Sequence, residues 1–198
     1  MTRAEVAAIF FRLLTDESMT QFMTSSNSFS DVSSAKWYNT AISTLVKAGI
    51  LTGYQDGKFL PNENITRAEF AVIISRFAAL KSGENSFIDI SGSWAEKYIN
   101  SAYTYGWITG YVDNSFKPNR EITRAEVMII VNRILERDVE ASDMLDPMAK
   151  WSDNAPEAWY YSAIQEATNF HDYERTDKQV PNQSYFYEKW TQIKANND

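Results

Sequence analysis

The chain has 198 residues, of which 44% are hydrophobic and 23% charged, an ordinary globular balance that sets it apart from disordered and fibrous sequences. A net charge of −7 argues against the basic face that nucleic-acid binders carry, and with no cysteine there are no disulfides and no thiolate-held zinc. No stretch approaches the roughly 18 consecutive apolar residues of a membrane span. Met1-Thr2-Arg3-Ala4-Glu5 opens a mature-looking helix and not a signal peptide, so an export signal is expected upstream of residue 1.

Thr2-Arg3-Ala4-Glu5 heads the first predicted helix, an apolar run from Val6 to Leu14. Phe29-Ser30-Asp31 and then Trp37 introduce an amphipathic helix whose stripe is Ala41, Ile42, Leu45 and Val46. Gly49 falls where a helix C-cap calls for a left-handed residue, and Asp56-Gly57 supplies turn chemistry in the loop that follows. Thr66-Arg67-Ala68-Glu69 then opens a second apolar run, Phe70 to Leu80. The order repeats as Phe87-Ile88-Asp89, Trp94, the stripe Tyr98, Ile99, Ala102 and Tyr103, then Gly106 and a matching loop to Asn119. Thr123-Arg124-Ala125-Glu126 opens the third run, Val127 to Leu135. The motif arginines stand 64 and 57 residues apart, and each is followed nine residues on by another, Arg12, Arg76 and Arg133.

A third copy begins with Trp151-Ser152-Asp153, Trp159 and the stripe Ala163, Ile164 and Ala167, and then departs from the pattern. Asn169 to Asp177 contains neither glycine, and Tyr185-Phe186-Tyr187-Glu188-Lys189-Trp190 stands where the motif is due, without its arginine. The unit therefore reads helix I, turn-rich loop, helix II, and such units need neighbours to bury their faces. Three copies of each helix, beginning with a helix II and ending with a helix I, suggest a ring closed by the two chain ends.

Phe-x-Asp, Trp, Gly-x-x-x-Gly-Tyr-x-Asp and Ile-Thr-Arg-Ala-Glu together resemble the S-layer homology domains of bacterial surface proteins. The resemblance is complete over Phe29–Leu80 and Phe87–Leu135, and partial over 1–14 and 151–170. It implies an all-α fold: a pseudo-threefold trimer of helix-loop-helix units around a central three-helix bundle. On this reading residues 1–198 form one domain. Residues 1–28 are the second half of a unit, 29–83 and 84–140 are complete units, and 141–198 are a first half with a divergent cap. The implied function is non-covalent anchoring of a surface protein outside the cell. Grooves between units would bind an anionic, pyruvylated secondary cell-wall polysaccharide, with peptidoglycan as the other wall partner, and the motif arginine would meet the anion. A structural module mediating protein–protein contacts within a surface layer is the alternative.

The motif residues also have readings of their own. Thr66 with Glu69, and Thr123 with Glu126, form capping boxes in which each side chain satisfies a free backbone N–H. Arg67 and Arg124 sit in a first helical turn, where the macrodipole disfavours a cation. There they make either a fork for a carboxylate or phosphate, or a salt bridge to Asp31, Asp89 or Glu69. Arg3 shares the motif. Gly53 and Gly110 suit a close backbone approach or a positive φ, and Tyr54 and Tyr111 suit stacking on sugars. Trp37 and Trp94 are groove or core residues, and Asp31 and Asp89 groove residues or charges for a helix N-terminus. Arg12, Arg76 and Arg133 are expected to snorkel or to pair with carboxylates. The Asp56 turn lacks the alternating carboxylates of a calcium loop. His171, the single histidine, shows no clustered ligands or nucleophile in the sequence, so neither enzyme, cofactor nor metal is expected, and neither nucleic acid nor membrane insertion. The expected form is a monomeric pseudo-trimer.

Overall fold

Three helices open on one device. Thr2, Thr66 and Thr123 cap α1 (Arg3–Arg12), α4 (Arg67–Ser75) and α6 (Arg124–Ile134), each threonine side chain accepting from the backbone N–H of the glutamate three residues on while that glutamate reaches back. Such caps contribute about 1 kcal/mol each. The amphipathic helices are α3 (Asn39–Lys47), α5 (Glu96–Thr104) and α7 (Tyr161–Thr168), and a short α2 (Asp16–Phe22), which no repeat signals, follows α1. Helix α4 ends well before Leu80. Gly49 and Gly106 take φ of 74° and 75° after α3 and α5, as a left-handed C-cap requires.

The structure, a computed structural model, describes residues 1–84 and 87–195. Residues 85–86 and 196–198, at the edges of the 84–140 and 141–198 segments, lie outside the described residues. The chain gathers into two units: Met1–Ala102 with Gly110–Ile122, and Tyr103–Thr109 with Thr123–Asp198. In the first, Phe10 of α1 is buried against Phe70 and Phe77, with ring centroids 5.7 and 4.9 Å away. Ile42, Leu45, Phe59, Ile65, Ile74, Ile99 and Phe116 complete its core. Full burial of each such side chain is worth roughly 1.5–3 kcal/mol. Two isolated antiparallel bridges, Thr2 to Asn64 and Thr66 to Glu121, pair the segments that lead into successive motifs.

In the second unit α6 and α7 pack side by side, with Val127, Ile130 and Val131 buried. The chain then turns to strand. β1 (His171–Gln179) and β2 (Phe186–Ile193) form an antiparallel hairpin with Tyr173 opposite Trp190 and Arg175 opposite Glu188. This overturns the all-α pseudo-threefold trimer expected from the repeats, since the chain beyond α7 is sheet. The reason is local. Helix α7 has no glycine at its end, and Asn169 takes φ −107°, ψ 129°, so the chain leaves it already extended. In β2 Glu188 and Trp190 are buried while Lys189 and Thr191 are exposed, a period of two set by aromatic and β-branched residues. Asn182, following Pro181, turns the chain at φ 61°. Among the described residues no helix is long and apolar enough to cross a membrane.

Candidate functional site: three motif arginines in two environments

Arg3 and Arg67 are buried and committed to the protein itself. Arg3 donates through Nε to the Phe59 carbonyl at 2.9 Å, through Nη2 to the Thr52 carbonyl at 3.0 Å, and through Nη1 to Glu69 at 3.1 Å. Its guanidinium lies over the rings of Tyr54 and Phe59. Arg67 repeats the arrangement one copy on: Nε donates to the Phe116 carbonyl at 2.8 Å, and the guanidinium covers Tyr111 and Phe116. The first N–H groups of these helices are also used, Arg3 and Ala4 donating to Glu63 and Pro61, and Arg67 and Ala68 to Arg120 and Pro118. In both cases the loop of the next repeat, within the same compact unit, supplies the acceptors.

Arg124 is different. It is exposed, and among the described residues no acceptor lies within hydrogen-bonding reach of its guanidinium or of the backbone N–H groups of Arg124 and Ala125. The loop that would occupy them is missing, because the chain after α7 is the hairpin. Instead Arg124 and Ala125 line an open cavity of about 380 Å³ whose other walls include Trp151, Asp153, Asn154, Tyr160 and Thr168. Trp151 is 45% exposed, its indole N–H held by Thr168 Oγ1 at 2.9 Å. A guanidinium and two unused N–H groups at a helix N-terminus form an anion receptor, and the adjoining ring face suits the C–H face of a sugar.

The remaining candidates fall into place around the two buried arginines. Arg3, Gly53, Tyr54 and Trp94 share one cavity of about 200 Å³ with Glu69 and Arg76. The Tyr54 hydroxyl donates to Glu69 at 2.8 Å, and burial together with that bond raises its pKa, so it stays a donor. Trp37 and Trp94 stand 67% and 64% exposed at the heads of α3 and α5, outside the core, Trp37 edge-on to Tyr38.

Gly53 and Gly110 do not take positive φ; a Cβ on either would lie 2.2 Å from a ring carbon of Phe29 or Phe87. The close approach they permit is to the chain's own phenylalanine. Asp31 and Asp89 do not serve a helix N-terminus. Asp31 accepts the N–H groups of Phe59 and Leu60 at 2.9 and 2.8 Å, and Asp89 those of Phe116 and Lys117, both at 2.8 Å. Each clamps a loop in which Leu60 or Lys117 holds φ near 58° or 56°. Arg76 and Arg133 donate to carbonyls, Ile50 at 2.8 Å and Trp107 at 3.4 Å; Arg12 is exposed.

Two features escaped the sequence. Tyr160 and Asn154 line the Arg124 cavity with no motif to flag them, although the absent glycine loop marks that cavity as open. The fold also gathers Glu166, His171 and Glu188, the last of them 17 residues beyond the histidine in sequence.

Residues 28–71 and 86–128 match the S-layer homology domain family. The chain therefore carries an S-layer homology region of a bacterial cell-surface protein. It is 35% identical over 180 residues to a cellulosome-anchoring protein of Acetivibrio thermocellus, covering 87% of this chain and 39% of that one. It is 39% identical over 151 residues to cell surface glycoprotein 1 of the same organism, covering 69% of this chain and 6% of the relative. To S-layer protein EA1 of Bacillus anthracis the identity is 38% over 101 residues, half of this chain and 12% of the relative. The chain thus spans less than half the length of these relatives.

Proposed function

We propose that this region anchors a surface protein to the bacterial cell wall by binding an anionic wall polysaccharide, a pyruvylated secondary polymer fitting best, at the cavity headed by Arg124. The observation that carries this reading is the contrast among three identical tetrapeptides. Arg3 and Arg67 already have acceptors, whereas Arg124 and the N-terminus of α6 present unused donors to solvent beside Trp151 and Tyr160. A carboxylate or phosphate on a terminal sugar would take the fork and the two N–H groups, while the sugar ring would rest on Trp151. Asp153 in the wall of the cavity restricts the anion to the Arg124 end. The name of the cellulosome-anchoring relative agrees with an anchoring module.

The test is co-sedimentation of the purified chain with intact sacculi and with sacculi stripped of phosphodiester-linked polymers. Binding is expected to intact walls and to be lost on stripping. Binding that survives stripping would assign the ligand to peptidoglycan, and failure to pellet with intact walls would remove the anchoring reading.

A further inference from the structure

A cluster of buried ionisable groups lies away from the Arg124 cavity, in the second unit beside the hairpin. Glu166 of α7, His171 at the start of β1 and Glu188 of β2 are all buried, the glutamates to 1% and 0% exposure. Neither oxygen of Glu188 accepts a hydrogen bond; its nearest cations are Arg175 Nη2 at 3.4 Å and His171 Nε2 at 3.7 Å. A fully buried carboxylate without a hydrogen bond is costly and calls for a further partner.

The surroundings are those of a metal ligand set. His171 donates Nδ1–H to the Asn169 carbonyl at 2.8 Å, which aims Nε2 at the two carboxylates, and its ring is stacked on Trp190 at 4.2 Å. Trp190 donates its indole N–H to Glu166 Oε2 at 2.8 Å, leaving Oε1 turned towards His171 Nε2 at 3.2 Å. Ligating histidines and carboxylates are typically held from behind in this way. One ligand atom from each of the three residues lies within 4.8 Å of the others. Donors around a tetrahedral zinc stand roughly 3.3–3.5 Å apart, close to the 3.2 and 3.7 Å seen here. An open cavity of about 410 Å³, lined by Arg137, Glu166, Asn169, His171 and Tyr173, reaches the cluster from solvent.

The geometry points to a site for one divalent transition-metal ion, zinc by its ligand set, held by Glu166 Oε1, His171 Nε2 and Glu188 Oε2 with water in the fourth position. Two cations compete for that place. Arg137 Nη2 lies 2.6 Å from Glu166 Oε1 and 3.3 Å from His171 Nε2, where the ion would sit, so binding requires that this side chain, 31% exposed and bordering the cavity, turn out into it. The second is the proton on His171. Burial disfavours it, but the Glu166 and Glu188 carboxylates beside the ring outweigh burial and raise the pKa to about 9. With Arg137 turned out, the two carboxylates balance the dication, and Arg175 remains at the exposed edge.

The test titrates the full chain, freed of metal by chelation, with zinc by calorimetry, and with cobalt(II) by visible absorption. One equivalent is expected to bind with a rise in melting temperature, and cobalt should give the intense bands of tetrahedral coordination. Glu188→Gln should lose binding, and Arg137→Ala, which removes the competing cation, should bind at least tenfold tighter. No zinc binding by either the wild type or Arg137→Ala, an octahedral cobalt spectrum, or binding unchanged in Glu188→Gln would overturn the proposal. The cluster would then be an ion-pair network held by the His171 proton.

Discussion

Replacing Arg3 by alanine is expected to lower the stability of the first unit by about 3 kcal/mol. The substitution strips donors from the Phe59 and Thr52 carbonyls and leaves Glu69 without its cation in a site where the two side chains are 8% and 21% exposed. It also removes the cation from the Tyr54 and Phe59 rings. Tyr54 would still donate to Glu69, which limits the loss. For a chain of this size the change corresponds to a fall in melting temperature of about 6–12 °C. Arg67→Ala should behave alike, since its Nε bond to Phe116 and its two ring contacts repeat those of Arg3. Thermal denaturation followed by circular dichroism reads both. A variant melting within a degree of wild type would show that these arginines are held loosely.

Gly53→Ala and Gly110→Ala carry the second large effect. The new Cβ would meet Phe29 Cε1 at 2.2 Å and the Lys58 carbonyl oxygen at 2.7 Å in the first case. In the second it would meet Phe87 Cε1 at 2.2 Å and the Ser115 oxygen at 2.8 Å. Neither obstacle yields easily. The two carbonyls accept the N–H groups of Tyr54 and Tyr111 at 2.8 Å, and the two rings sit 5.5 Å from Phe59 and Phe116. Overpacking of this kind costs about 1–3 kcal/mol, and more where backbone must move. Chemical denaturation should show a lowered midpoint for either single variant, with Phe29→Leu partly rescuing Gly53→Ala because ring and Cβ compete for one space. Equal midpoints in the single and double variants would contradict that account.

What was legible in the sequence was what is local. Thr66 and Glu69 lie three residues apart, so a capping box is written in four letters, and Gly49 and Gly106 mark helix ends by their conformation alone. The clamp of Asp31 on Phe59 and Leu60 spans 28 and 29 residues, and nothing beside Asp31 announces it. The hairpin had signals of its own, the Pro181-Asn182 turn and the alternation around Glu188 and Trp190. The resemblance to all-α repeats pointed the other way. The motif arginines show why a repeated motif does not fix a repeated role. The environment of each is set by the loop that follows it one unit later, and only Arg124 is followed by a copy from which that loop has been lost. The same departure brought His171 and Glu188 beside Glu166, so a lone histidine in sequence became one member of a cluster in space.

The direct test of the central claim is the affinity of Arg124→Ala for intact cell walls, measured as a co-sedimentation isotherm beside wild type and checked for unchanged folding. Arg124 is exposed and bonded to nothing within the described protein, so its loss should leave the fold intact. It should weaken wall binding about ten- to a hundredfold, the equivalent of about 1.5–3 kcal/mol for one charge-assisted contact. Wild-type affinity in a folded Arg124→Ala protein would contradict the assignment of this cavity as the polymer site.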